Sequence, residues 1–296
     1  MNATKSILRF TLFVLSVTLA ISVPAYSQVP SNVLVRTRLI QTSNGATGTA
    51  FTIDVDGRQY LITAKHLVDS ITDGAQATIN IRKRDSWSTL LVTVFKCNDP
   101  IDVAVLVPPT QVTLNYPLES NHAGLTVGGD VYFVGFPFGK QHAITYPTMS
   151  GVFGIVKRAI VAQLDYLPAL QTQRIMLDGI NNEGFSGSPV VFRDFSLPGY
   201  VFKVAGVIVA YEAQTVPVYS KIEIKEQDIA PADIEQQLIM RGLDGKAYRL
   251  KDTGQVVKSN TGIATAWDIG PAVDLIRKHP IGPTVSDKFS EGQSGY

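Results

Sequence analysis

Along the first two-thirds of the chain, apolar residues come in short runs, each closed by glycine, proline, asparagine or aspartate. β-Branched and aromatic side chains fill these runs, the signature of strands separated by turns. The pattern predicts strands at Val33–Leu39, Gly48–Val55, Tyr60–Thr63, Ala77–Arg82, Leu90–Phe95 and Val103–Val107. A looser stretch from Pro108 to His122 mixes prolines with polar residues and reads as a connector. Strands then resume at Asp130–Gly135, Val152–Arg158, Ile160–Leu164, Arg174–Leu177, Pro189–Phe192 and Val201–Ala210. The expected class is all-β, built as antiparallel barrels or sandwiches in two halves.

Past Tyr211 the pattern changes. Residues 212–258 are rich in polar and charged positions and read as an insertion, with one amphipathic helix expected over Ala232–Arg241. Ile234, Leu238 and Ile239 fall at helical spacing there, and Pro231 is a suitable opener.

The amino terminus has a different pattern again. Lys5 and Arg9 precede an apolar run from Phe10 to Val23, and Ala25-Tyr26-Ser27 places small residues at both cleavage positions. This predicts a secretory signal peptide over residues 1–27, cut before Gln28. A run of about 14 residues is shorter than the roughly 20 that a membrane-spanning helix needs, so cleavage is expected rather than anchoring. No other apolar segment is long enough to span a bilayer. An exported protein is expected, periplasmic or secreted, with no membrane partner once the leader is gone.

Charge and cysteine content narrow the classes further. Of 26 basic residues, losing Lys5 and Arg9 leaves 24 against 25 acidic ones, a net charge near −1. Such a balance gives no electrostatic reason to expect nucleic acid as a partner, and Arg82-Lys83-Arg84 reads as a solvated strand end. With Cys97 as the one cysteine, no internal disulfide forms. It lies in an apolar run and reads as buried filler. The four histidines, 66, 122, 142 and 279, show no paired metal-ligand spacing, so no metal site is expected.

Three segments carry candidate chemistry in a set order. They are Thr63-Ala64-Lys65-His66, Asp102-Val103-Ala104-Val105-Leu106 and Gly184-Phe185-Ser186-Gly187-Ser188-Pro189. A serine hydroxyl attacks only when a neighbouring base takes its proton, and the base needs a partner that fixes its tautomer. The order His, Asp, Ser is one that such triads use. Asp99 competes with Asp102, but it precedes Pro100 and reads as a turn acid, whereas a buried strand follows Asp102.

On these segments the chain resembles the trypsin-like (chymotrypsin-fold) serine proteases, and among them the protease domain of the bacterial HtrA/Deg branch. The approach to the serine, from Leu177 to Ser186, carries the resemblance, as do Val127–Gly139 and Gly151–Val156. It implies two antiparallel six-stranded barrels, about 31–115 and about 125–267, within a protease domain over 28–296. Thr261–Ala266 resembles the family's final strand and 270–278 its closing helix, ended by Pro280. The tail from Gly282 is expected to be loose, and no room is left for a PDZ domain.

The resemblance also implies roles. Ser186 would be the nucleophile, His66 the base and then the acid, and Asp102 the orienting group. The backbone N–H groups of Gly184 and Ser186 would form the oxyanion hole. Ile180 falls at the floor of the family's side-chain pocket, and Val209, Ala210 and Tyr211 along its wall. An apolar floor disfavours a buried Lys or Arg and predicts cleavage of polypeptides after small or medium aliphatic residues. No cofactor is implied, and the oligomeric state is left open.

Two positions depart from the pattern. Phe185 stands where trypsin proper has the aspartate that binds a freshly cut N-terminus, so activation by N-terminal insertion is not expected. Ser188 replaces a usual glycine. Two other readings compete with catalysis by this triad. An α/β-hydrolase using Ser186, Asp268 and His279 lacks the Gly-x-Ser-x-Gly elbow and the helix after it. A catalytically inactive trypsin-fold protein that binds peptides or a protein partner would use the 212–258 insertion as a lid or docking surface.

Overall fold

The computed structural model describes residues 29–146, 149–196 and 201–287, giving the backbone alone over 142–146 and 149–151. The leader expected over 1–27 lies outside the described residues. The chain divides into a short unit, Met1–Pro30, and a large one, Ser31–Tyr296. Every described strand and helix belongs to the large unit.

Six strands make the first barrel: β1 (Thr37–Thr42), β2 (Thr47–Val55), β3 (Arg58–Ala64), β4 (Gln76–Arg82), β5 (Trp87–Lys96) and β6 (Val103–Val107). They close antiparallel in the order β1-β2-β3-β6-β5-β4. Burial follows composition. The apolar run of β6, and β2 and β3 with their threonines, are buried on both faces, while β4 and β5 alternate and turn one face to water.

β1 begins later than the alternation suggested. Ser31–Arg36 is a helix, α1, because the Thr37 hydroxyl donates to the Val33 carbonyl one turn back, at 2.8 Å, and Arg36 is drawn inward. The buried Arg36 guanidinium bonds Asp54, the Thr52 carbonyl and hydroxyl, and the Tyr116 carbonyl, fastening the connector as well. A side chain of this kind is buried only when its donors are met.

After β7 (Glu119–Ser120) come β8 (Asp130–Gly135), β9 (His142–Tyr146), β10 (Met149–Phe153), β11 (Ile155–Leu167), β12 (Thr172–Asp178), β13 (Pro189–Arg193) and β14 (Phe202–Ile224). A short helix α2 (Pro231–Glu235), β15 (Ile239–Arg241), β16 (Ala247–Asp268) and helix α3 (Gly270–Lys278) complete the unit. Pairing of β14 with β16 closes β8-β11-β12-β16-β14-β13 into a ring. Counted from its own first strand, this ring has the strand order of the first barrel. Its core joins Val131, Phe133, Val161, Leu177, Phe185 and Ile208.

Two further expectations need correction, the inserted helix and the loose tail. The helix placed over Ala232–Arg241 stops at Glu235. Leu238 accepts from Leu250 N at 2.7 Å, and Ile239–Arg241 pair with β16, so ladder bonds displace the helical ones. Ile234, the start of its apolar face, is 63 % exposed and meets no core. The 212–258 insertion is an extension of β14 and β16 into an antiparallel ribbon, paired from Ala213↔Asn260 to Ile224↔Ala247. The tail is fastened through Val285: Gln59 N donates to Pro283 O and Val285 N to Gly57 O, each at 2.9 Å. Among the described residues no helix is long and apolar enough to cross a membrane.

Candidate active site

His66 sits at the end of β3, on a short 3-10 turn over Lys65–Val68. Leu67 and Val68 are buried and pin that turn, so the imidazole is held outward, its side chain 40 % exposed. Asp102 comes one residue before β6, whose five buried residues fix where its carboxylate stands. β3 and β6 are neighbours, with Ala64 opposite Val103, and this brings the two groups together.

The carboxylate grips the histidine at two points. Oδ1 accepts from the His66 backbone N–H at 2.8 Å, and Oδ2 meets Nδ1 at 2.7 Å. With Nδ1 carrying the proton toward Asp102, Nε2 is left with a free lone pair. The Asp102 hydrogen bond raises the imidazole pKa above its ordinary 6.5, and partial burial opposes this with less effect. Asp99 pairs with Lys65 at 2.6 Å and does not approach the imidazole nitrogens within hydrogen-bonding distance.

Ser186 arrives from the second barrel, on the loop between β12 and β13. Its carbonyl accepts from Thr49 N at 2.9 Å, across the barrel junction. Gly48 lies between that carbonyl and Leu67: a Cβ there would stand 2.3 Å from Leu67 Cδ1 and 3.2 Å from Ser186 O. The serine loop thus rests against the turn that bears His66. Among the described residues the Ser186 hydroxyl makes no hydrogen bond; catalytic contacts of this kind often tighten only when substrate is bound.

The loop is shaped by two left-handed glycines, Gly184 at φ +95° and Gly187 at φ +87°. Its carbonyls are taken up: the Thr49 hydroxyl donates to Gly184 O at 2.8 Å, and Phe138 N to Glu183 O at 2.9 Å. Gly187 N donates to Ile208 O at 2.7 Å. The N–H groups of Gly184 and Ser186 donate to no acceptor among the described residues.

Phe185 is fully buried and packs edge-on against Phe133, ring centroids 5.0 Å apart. The Phe185 ring therefore belongs to the core of the second barrel. Ser188, also fully buried, faces Gly135, where any side chain would clash with its hydroxyl.

The pocket residues do not assemble as the resemblance implied. Ile180 is 58 % exposed and forms no buried floor; its carbonyl instead accepts from Lys157 Nζ at 2.6 Å. Val209 is buried, Ala210 exposed and Tyr211 half-buried. Asn181, which sequence reasoning passed over, is buried beside them and donates to Ala210 O at 3.0 Å.

A second His–Asp pair lies elsewhere. His122 Nδ1 meets Asp268 Oδ2 at 2.9 Å on the wall of a cavity of about 440 Å³ shared with Cys97 and α3. Burial pushes the Cys97 thiol up to about 12, so it supplies no thiolate at neutral pH. His279 stacks on Phe95 at 4.1 Å. Asp268 and His279 are therefore engaged apart from each other, and the α/β-hydrolase set is not assembled. Among the described residues no cluster of metal-ligating side chains is gathered.

Comparison with known proteins gives one family. The profile of the trypsin-like peptidase domain matches residues 48–199, just over half of the chain, and that span contains His66, Asp102 and Ser186. No curated protein matches. Among solved structures, the HtrA-type protease AlgW with a tripeptide shares 16 % identity at a TM-score of 0.49, covering 86 % of this chain. This chain spans 63 % of the length of that AlgW chain. An inactive form of the Rv3671c protease of M. tuberculosis shares 16 % identity, over 86 % of this chain and 98 % of its own, at 0.46. Deg5 shares 17 %, over 61 % and 81 %, at 0.44.

Proposed function

Because the chain belongs to the family of trypsin-like peptidase domains, we propose that it is an exported serine endopeptidase working through an acyl-enzyme. The observation that carries this is the double grip of Asp102 on His66. It orients the ring, fixes the proton on Nδ1 and presents Nε2 as the base. Ser186 Oγ attacks the scissile carbonyl while its proton passes to Nε2. The imidazolium so formed is stabilised by Asp102 and returns the proton to the leaving amine, and water then repeats the sequence to release the acid.

Negative charge gathers on the carbonyl oxygen during attack. The Gly184 and Ser186 N–H groups are its proposed donors, each worth about 2.7–4 kcal/mol of transition-state stabilisation. None of Ile180, Asn181, Val209, Ala210 or Tyr211 is a carboxylate. A Lys or Arg side chain would find no anionic partner among them, so cleavage after small or medium aliphatic residues is expected. No cofactor enters the chemistry. The leader over 1–27 directs export, and the mature protein begins at Gln28; intact mass of the exported protein checks this.

The lack of a hydrogen bond to the Ser186 hydroxyl among the described residues favours a second reading, a trypsin-fold protein that binds peptides without cleaving them. Labelling by a fluorophosphonate probe separates the two, since the probe reacts only with an activated serine beside a formed oxyanion hole. The peptidase reading requires labelling of the wild type, lost in Ser186→Ala and His66→Ala. A folded wild type that resists the probe supports binding alone.

A further inference from the structure

The loop from Gly179 to Ser188 carries both proposed oxyanion donors and has no strand or helix of its own. Something must keep it in one shape, and the Thr49 and Phe138 contacts hold only its Glu183–Ser186 portion. The stretch before that is tied at Gly179, whose N–H donates to Gly262 O at 2.7 Å, and at Asn181, which donates to Ala210 O at 3.0 Å, while one cation links it to the residue before the serine. Lys157, in β11, donates from Nζ to Ile180 O at 2.6 Å and to Asn182 Oδ1 at 3.0 Å. The same ammonium stands 5.3 Å from the centroid of the Phe185 ring. Asn182 in turn accepts from Phe185 N at 3.2 Å through its backbone carbonyl. Lys157 therefore touches three residues of the loop, the last of them adjacent to Ser186.

The chemistry of this contact suits its place. An ammonium has three donors, and two are spent on neutral oxygens at short range while the face of an aromatic ring takes up positive charge. Phe185 can form no ion pair, so the loop lacks the salt bridge that an acidic residue before the serine would provide. Here the charge comes from a neighbouring strand and is present as soon as the barrel folds.

We propose that Lys157 is a positioning residue: by holding Ile180, Asn182 and Phe185 it keeps the Gly184 and Ser186 N–H groups aimed at one point. This rests on the peptidase reading of the site. It follows that the loop is ordered by folding, with no cleavage needed beyond loss of the leader.

Lys157→Met keeps the stem and removes the charge, Lys157→Arg keeps a donor cation, and Asn182→Ala removes one acceptor. Each is compared with the wild type by fluorophosphonate labelling rate, hydrogen exchange over residues 179–188, and melting. Lys157→Met is expected to label about tenfold more slowly or worse, with faster exchange confined to that loop and melting close to wild type. Lys157→Arg should restore most of the labelling, and Asn182→Ala should show the same defect in weaker form. Unchanged exchange in Lys157→Met overturns the proposal, as does faster exchange with an undiminished labelling rate. Should the wild type itself resist the probe, the peptidase reading fails and the exchange data alone decide the role of Lys157.

Discussion

At the scale of single residues, the two oxygens of Asp102 do separate work: one holds the His66 backbone and the other its ring. The ring contact favours the imidazolium, so the pKa lies above 6.5. Since the base must be neutral, the rate of fluorophosphonate labelling should rise with pH through a midpoint above 6.5. The same shift has the opposite sign for stability: its contribution is full below the unfolded pKa and fades as pH rises through the folded one. Asp102→Asn should move the midpoint down and cut the rate by about 10⁴, because the ring then loses its useful tautomer. A midpoint that stays put in Asp102→Asn would remove Asp102 from this role. His66, Asp102 and Ser186 could be picked out in the sequence because each sits in a local pattern of neighbours. Thr49 and Lys157 could not. Their partners lie 135 and 23 to 25 positions away, and no periodicity links a hydroxyl on β2 or an ammonium on β11 to a loop after β12.

At the scale of elements, the ribbon built from β14 and β16 obeys different rules from the barrels. Residues 202–209 and 264–268 are mostly buried, whereas nearly every position between them is exposed or half-exposed. Val216, Val256 and Val257, in the part of the ribbon nearer the barrel, are 44 %, 58 % and 56 % exposed. A ribbon of two strands, with β15 added only at its outer end and little buried apart from Ala247, contributes little to the stability of what it grows from. Replacing residues 214–259 by an Asn-Gly turn between Ala213 and Asn260 should therefore leave both barrels intact. The expected change is below about 1 kcal/mol, or a Tm within about 4 °C of wild type, with labelling of Ser186 retained. A collapse in Tm would show that the ribbon is part of the core structure. The barrel strands were legible because burial on one or both faces stamps a period on the sequence. A ribbon wet on both faces bears no such stamp, and the short helical spacing at Ile234–Ile239 was read in its place. Val33–Arg36 misled for a related reason: its apolar residues suggested a strand, while the long-range bonds of Arg36 and the Val33 carbonyl decided for helix.

At the scale of the whole molecule, the site exists only where two barrels of equal strand order meet. The junction combines backbone and threonine hydrogen bonds with a small apolar cluster of Leu39, Phe136 and Val152. Thr49 N holds Ser186 O, the Thr49 hydroxyl holds Gly184 O and accepts from Phe136 N at 3.2 Å, and Thr63 holds Thr49 O at 2.7 Å. Gly187 fits into this contact because it has no side chain: a Cβ would lie 1.9 Å from Thr49 O and 2.5 Å from the Thr63 hydroxyl. Its φ of +87° adds a second reason. Gly187→Ala should cost about 1–3 kcal/mol for the left-handed backbone and a similar amount for the forced separation. Because the carbonyl of Ser186 accepts one of the bonds between the halves, the loss should appear in both properties together. Tm should fall by several degrees, and the fraction still folded should label more slowly than wild type. That sets Gly187→Ala apart from Lys157→Met, which is expected to slow labelling with melting nearly unchanged. A Gly187→Ala protein that melts lower yet labels at the full rate once folded would mean that the junction holds the barrels together without shaping the site between them.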